Sequence, residues 1–283
     1  MTSFAVQLHG TFPMGAYPDL ARAVERHPFR ELTVHDVVWW RPVWPVLTLV
    51  AASTERVAVG PDVTHPLLVH PVVTAASVAA LDELSAGRAV LGVGRGSLLE
   101  PLGIRPAKPV EVRRLVEEVQ RHLADGFNWE PPRRRVPVFV GAFGPAMLEE
   151  ACGGWAEEIR PPGVWDIRFF EDVRRRVRGR ARLGCEVWTA VDRDRERARD
   201  LGRIVLGRFL PAMATMTRFY RVDASERPIP DSTLDLFVAA GTPGDVARGV
   251  ERLVAAGAET ITFSGRLGHD TGYAIAELGR IIA

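Results

Sequence analysis

The stretch Leu81–Ser97, LDELSAGRAVLGVGRGS, decides the fold. It closes a helix, turns at Gly87, runs through the apolar segment Ala89-Val90-Leu91-Gly92-Val93 and opens at Gly94-Arg95-Gly96. A continuous apolar run bounded by glycines suits a strand buried on both faces, which is the habit of parallel sheets. The glycines at its C-terminal end have two readings: they let backbone approach a ligand, or they relieve tight packing between strands. No P-loop lysine follows them, so a Walker-type phosphate cradle is excluded.

The same alternation recurs on both sides of this stretch. Phe4–Leu8 is an apolar strand ending in His9-Gly10, and Tyr17–Arg26 is a helix with Leu20, Ala21 and Val24 on one face. Glu31–Val34 is a second strand ending in His35-Asp36; the aromatic run from Trp39 to Trp44 follows, then a helix from Pro45 to Ala52. Arg56–Val59 begins a third strand that continues irregularly to Pro66, and Val72–Leu84 is a helix with Val73, Ala76, Ala80, Leu81 and Leu84 at helical spacing. Val112, Leu115, Val116, Val119 and Leu123 predict an amphipathic helix over Val110–Ala124. Pro137–Val140 is the fifth strand, followed by Gly141-Ala142-Phe143-Gly144 and a helix from Pro145, where proline's missing N–H costs nothing.

Glu157–Arg160 is a weak sixth strand, Ile167–Ala181 an arginine-rich helix with a solvated face, and Glu186–Val191 the seventh strand. A long helical region and a polar segment, Arg221–Asp235, read as mobile, come next. Thr242 is placed as the N-cap of a helix with Pro243 first and Asp245 in the first turn. Val246, Val250, Leu253 and Val254 would face the core of that helix, and Gly257 would end it. Thr260–Phe263 is the eighth strand and Tyr273–Ile282 the closing helix. Eight buried strands, each followed by a helix, predict an α/β fold of the TIM (β/α)8 type, with a doubly wound open sheet as the alternative. No composition shift marks a boundary, so residues 1–283 read as a single domain.

The totals narrow the function. The 283 residues are 47% hydrophobic and 25% charged with a net charge of +1, so no bulk field points to nucleic acid. Cys152 and Cys185 read as reduced core residues. The N-terminus has no charged leader and no stretch is long and apolar enough to span a membrane, which places the protein in the cytoplasm. H-x-x-x-H, C-x-x-C and H-E-x-x-H spacings are missing, so no dedicated metal site is expected.

Barrel enzymes keep their active sites at the C-terminal strand ends. Those ends supply His9, His35-Asp36, Asp62 to His65, Gly94 to Ser97, Gly141 to Gly144, Arg160, Asp192 and Ser264 to Arg266, while the strand bodies read as apolar. Gly144 before a helix is either an anion-binding terminus or an ordinary turn. Arg95 is either a bidentate phosphate contact or a surface arginine. His35-Asp36 is either a base with its orienter or a structural pair, and at most one points inward unless the strand has ended.

Four collinear motifs carry a family resemblance. LDELSAGRAVLGVGRGS resembles the signature of the bacterial luciferase-like flavin and deazaflavin oxidoreductases, and most of all the F420-dependent branch similar to methylenetetrahydromethanopterin reductase. VAVGPDVTHPLLVHP (57–71), VPVFVGAFGPAMLEEACG (136–153) and GTPGDVARGVERLVAAGAETITFSG (241–265) resemble that branch's third strand, fifth strand with its helix, and last helix with its strand. The resemblance implies a TIM barrel holding a flavin-like ring at its C-terminal mouth. It implies a non-prolyl cis peptide at Asp62-Val63, the strand-two aspartate at Asp36 and phosphate contacts at Ala142, Phe143 and Gly144. Gly94, Arg95, Gly96 and Ser97 would border the cofactor.

Two positions depart from the sugar-phosphate-oxidising relatives, which carry a histidine where this chain has Val37 and a glutamate where it has Ser97. The segment between Asp125 and Pro137 is also short, and Glu157-Glu158 stands where many relatives have Asp-Gly. The implied function is hydride transfer between coenzyme F420 and a small organic substrate, with His9, His35 or Asp36 handling an accompanying proton. The alternatives are an FMN-dependent monooxygenase served by a flavin reductase, and a flavin-binding protein without turnover. The family also implies a homodimer.

Overall fold

The computed structural model describes residues 2–131 and 133–283. The strands are β1 (Ser3–Leu8), β2 (Glu31–Val34), β3 (Ala58–Pro61), β4 (Leu91–Val93), β5 (Val138–Val140), β6 (Glu158–Ile159), β7 (Arg182–Leu183), β8 (Cys185–Val191), β9 (Val238–Gly241) and β10 (Thr260–Leu267). Every pairing is parallel, in a sheet β3-β2-β1-β10-β8-β9 and a shorter sheet β4-β5-β6-β7. Two seams join them into a closed barrel. At one, bridges Val59–Ala89 and Thr64–Val93 tie β3 to β4. At the other, β7 and β8 are a single strand interrupted at Gly184. The TIM-barrel expectation holds, and the open sheet is set aside.

Glycines mark both seams. A Cβ on Gly60 would lie 2.0 Å from the Val90 carbonyl oxygen, and one on Gly92 would lie 2.4 Å from the Pro61 oxygen and from the Phe139 ring. At the second seam, a Cβ on Gly184 would lie 2.8 Å from the Thr260 oxygen. These strands meet backbone to backbone, and no side chain fits between them.

The helices are α1 (Tyr17–Glu25), α2 (Val43–Ala51), α3 (Pro71–Leu84), α4 (Pro109–Asp125), α5 (Pro145–Ala151), α6 (Ile167–Val177), α7 (Arg195–Phe209), α8 (Ala214–Tyr220), α9 (Asp231–Phe237), α10 (Pro243–Ala255) and α11 (Thr271–Ile281). On α4 the buried residues are the five named from periodicity. On α10, Thr242 and Asp245 form a capping box, and Val246, Val250 and Leu253 are buried. Three expectations need correction. Val254 is exposed, because the buried stripe of α10 is narrower than its apolar residues. The core face of α3 is Thr74, Ala75, Val78, Ala79, Leu81 and Asp82, with Val73 and Leu84 exposed; apolar residues surround this helix, so spacing alone cannot choose a face. The end of the polar segment 221–235 folds as α9, which feeds the additional strand β9.

The barrel interior is not wholly apolar, as the strand bodies had suggested. Gln7, Glu31, Thr33, Glu158, Glu186, Thr262 and Ser264 are buried on strands. Arg160, expected at the mouth, is turned inward. Its Nε donates to Glu158 Oε2 at 2.8 Å, its Nη1 and Nη2 donate to the Glu31 carboxylate at 2.5 and 3.1 Å, and its guanidinium lies 3.9 Å from the centre of the Phe139 ring. A buried guanidinium is tolerated only when paired in this way.

Candidate active site at the barrel mouth

Strands β1 and β2 end side by side, and their terminal histidines meet. The His9 and His35 rings are 5.9 Å apart at 71°. Trp40, from the aromatic run after β2, lies 3.9 Å from the His9 ring and stands perpendicular to His35 at 5.3 Å. Gly10 makes room for that indole, since a Cβ there would touch Trp40 Cε3 at 3.0 Å. His9 Nδ1 is 2.7 Å from Thr11 Oγ1, and Tyr17 Oη donates to the His9 carbonyl at 2.9 Å. His35 Nδ1 is buried and has no hydrogen-bond partner among the described residues. A buried polar atom left without a partner costs free energy that a bound ligand can recover.

The electrostatics keep both imidazoles neutral. Burial, then the charges of Arg266 and Arg208, push His9 down to about 4. Burial, then His9, pushes His35 down to about 3. Arg208 lies 5.7 Å from the centre of the Trp40 ring and Arg266 lies 5.3 Å from that of Phe12.

β2 has ended by Val34, so both members of His35-Asp36 reach the mouth. Asp36 turns the other way, toward Thr64 and His65. Burial raises its carboxyl above the usual range, while the Thr64 hydrogen bond and His65 oppose this.

The opposite wall is built from β3, β4 and β5. The Asp62-Val63 peptide is cis, as the resemblance implied. The Asp62 carboxyl points into the barrel, where Thr33 Oγ1 donates to it at 3.2 Å. Asp62 therefore presents backbone rather than side chain to the mouth. Val63 packs where side chains are missing: a Cβ on Gly94 would lie 2.6 Å from Val63 Cγ2, and one on Gly141 3.6 Å from Val63 Cγ1. The packing reading of Gly94 therefore holds in this structure.

Gly96 has φ +80° and sits against Leu67, Leu99 and His65, a place only glycine fits. Arg95 is tied down: its Nε donates to the Ala107 carbonyl at 2.5 Å, and its own carbonyl accepts from the Ala107 N–H at 2.7 Å. Ser97 is exposed. Trp39 Nε1 bridges to the Leu98 carbonyl at 2.6 Å, linking the loops after β2 and β4. Ala142, Phe143 and Gly144 form the turn from β5 into α5, with Gly144 as N-cap and Thr215 of α8 close by.

The profile of the luciferase-like monooxygenase family matches residues 2–260. The chain belongs to that family. Among the relatives of this luciferase-like protein, a 5,10-methylenetetrahydromethanopterin reductase of Archaeoglobus fulgidus is 28% identical, covering 86% of this chain and 87% of the relative. An F420-dependent glucose-6-phosphate dehydrogenase of Nakamurella multipartita is 34% identical, covering 64% of this chain and 65% of the relative. The solved structure of a coenzyme F420-dependent tetrahydromethanopterin reductase from Methanopyrus kandleri superposes with a TM-score of 0.85 at 21% identity, covering 99% of this chain and 97% of that one.

In this luciferase-like barrel the predicted residues fall in two groups. His9 and His35 meet on one side of the mouth, while Asp36 turns toward Thr64 and His65 on the side of Val63 and the glycine turns. Sequence reasoning placed Arg266 at a strand end of the mouth, but missed Trp40 as the contact between the two histidines and Arg208 as a rim charge. The aromatic run after the second strand was the available signal for the first; Arg208 needs the fold, because α7 is far from β1 in sequence. Among the described residues no helix is long and apolar enough to cross a membrane.

Proposed function

We propose that the chain is an F420-dependent oxidoreductase that moves a hydride between the deazaflavin and a small organic substrate. The carrying observation is the 28% identity shared with the Archaeoglobus fulgidus reductase across nearly the full length of both chains. The mouth fits such a group: it offers an apolar wall at Val63, glycine-rich turns that admit close approach, and a buried His35 Nδ1 without a partner among the described residues. Bound F420 supplies the hydride-carrying ring.

The chain's own residues do the rest. Val63, backed by Gly94 and Gly141, supports one face of the ring. The Ala142-Phe143-Gly144 turn holds phosphate through its backbone, and Gly96 and Ser97 border the entrance. Trp39 and Trp40 exclude water, which hydride transfer requires. His35, neutral at working pH, holds or takes a proton at Nδ1, with His9 and Trp40 fixing its ring. Asp36, with its carboxyl pushed up by burial, stands beside the cofactor wall.

The test follows reduced F420 spectrophotometrically against unsaturated and imine acceptors. The wild type should consume it, and His35→Asn should lower kcat on the order of 10²-fold while leaving F420 binding intact. Glucose 6-phosphate should not support the reverse reaction, given Val37 and Ser97. Consumption of reduced FMN and oxygen instead, with no loss of reduced F420, would establish the monooxygenase alternative.

A further inference from the structure

We infer that Glu186 carries a resident proton, and that this proton orders a hydrogen-bond relay, Glu186 to Ser264 to Gln7 to the Asp62 carbonyl, that positions the β3 wall of the mouth. The inference comes from counting donors. Ser264 Oγ lies 2.6 Å from Gln7 Oε1 and 2.7 Å from Glu186 Oε1. A serine hydroxyl has one proton to give. Gln7 supplies no other, because it faces Ser264 with its acceptor Oε1 while Nε2 points to the Asp62 carbonyl and donates to it at 2.6 Å. Reversing that amide would set two carbonyl oxygens against each other. With Ser264 donating to Gln7, the contact to Glu186 is a hydrogen bond only if Glu186 Oε1 carries the proton.

The surrounding charges agree. Glu186 faces Asp62 just after β3, Cys185 and Trp188 of its own strand, Ser264 of β10 and Arg160. That single guanidinium is already engaged by Glu31 and Glu158. Ionising Asp62 and Glu186 as well would leave excess negative charge in a buried space, which is costly unless compensated. Burial raises the Glu186 carboxyl, while Ser264, Trp188 and Arg160 oppose it. Trp188 Nε1 donates to Glu186 Oε1 at 3.2 Å, which leaves the acid proton free to point at Ser264.

All four relay residues are buried; they run across the neighbouring strands β8, β10 and β1 and then pass over β2 to the residue that follows β3. β1 and β3 are not hydrogen-bonded to each other, so Gln7 is a side-chain strut across the barrel to the residue before Val63. If Glu186 ionises, the Ser264 hydroxyl turns toward it and Gln7 Oε1 loses its donor. The strut loosens, and Val63 shifts against Gly94 and Gly141. Glu186 is thus a positioning residue for the cofactor wall, a role that rests on the F420 reading; the proton assignment does not.

Infrared difference spectroscopy on the cofactor-free protein reads the proton directly. The carbonyl stretch of a neutral carboxylic acid should be present at neutral pH, shift on ¹³C-glutamate labelling of the wild type, and be missing from Glu186→Gln. Absence of the band, or a band that labelling leaves in place, would overturn the assignment; the latter outcome would put the proton on Asp62. F420 affinity is then measured against pH. It should fall several-fold in the wild type over the range where the band is lost, and stay level in Glu186→Gln, which has no carboxyl to ionise there. An affinity that stays level while the band disappears would overturn the positioning role. Failure of the wild type to bind F420 at any pH would overturn the cofactor reading and the positioning role with it, while the infrared result still decides the proton.

Discussion

The two halves of the barrel reach the same mouth by different means. On one side β1, β8 and β10 are six to eight residues long and tightly laddered, and they carry side-chain chemistry: His9 at a strand end, and Gln7, Glu186 and Ser264 within. On the other side β4, β5 and β6 have two or three residues each, and Gly92, Gly94 and Gly141 present backbone. The difference teaches a division of labour. Side chains that must be held at fixed angles are anchored on long ladders, and where backbone must come close, side chains are deleted and the ladder shortens. Val63 fills the space left by Gly94 and Gly141, and the long half braces it through Gln7.

The largest expected effect breaks the seam between the halves. Gly60→Ala puts a methyl 2.0 Å from the Val90 carbonyl oxygen and 2.9 Å from its carbon, backbone that cannot move aside as a side-chain end can. It should destabilise the protein by about 3 kcal/mol, the upper part of the overpacking range, in urea unfolding. Gly94→Ala meets only the Val63 side chain, at 2.6 Å. It should cost about 1 kcal/mol in the same assay but weaken F420 binding on the order of tenfold. Equal losses of stability in the two variants would erase the distinction between seam and wall.

The histidine side sharpens the comparison through pH. His9 and His35 titrate at about 4 and about 3 in the folded protein, against an ordinary 6.5. Between those values the unfolded chain binds more protons, so these histidines cost stability as pH falls from about 6.5 toward 4. Replacing both with glutamine should flatten the stability profile between about pH 6.5 and 4 by a slope of up to about 1.4 kcal/mol per pH unit for each histidine. The smallest effect belongs to the strap between the halves. Trp39→Phe deletes the hydrogen bond to Leu98, costing about 0.5–1 kcal/mol, and should raise amide exchange in residues 96–99 without moving that of β1.

Legibility in sequence follows the same division. Helices with one apolar stripe, α4 and α10, could be read from spacing, and the strand ends that carry His9, His35 and Asp36 could be read as a barrel mouth. α9 and β9 were hidden because Pro228, Pro230 and a polar run resemble a loop, while their burial comes from packing against α7 and β8. Arg160 was misplaced because a strand's end fixes where its backbone lies and not whether a long side chain folds back inside. The relay was overlooked for a related reason. A lone glutamine, glutamate or serine inside an apolar strand shows that a polar group is buried, but its partners sit on strands up to 257 residues away. The cis peptide at Asp62-Val63 came from the family resemblance; no local propensity announces it.

Whether the two halves together hold F420 is read by an equilibrium titration of F420 and, separately, of FMN, followed through quenching of the protein's tryptophan fluorescence. Trp40 lies against His9 in the mouth and should respond to a bound ring. The account predicts saturable quenching by F420 that is weakened in Gly94→Ala, with much weaker quenching by FMN. Tight FMN binding with no response to F420 would contradict it.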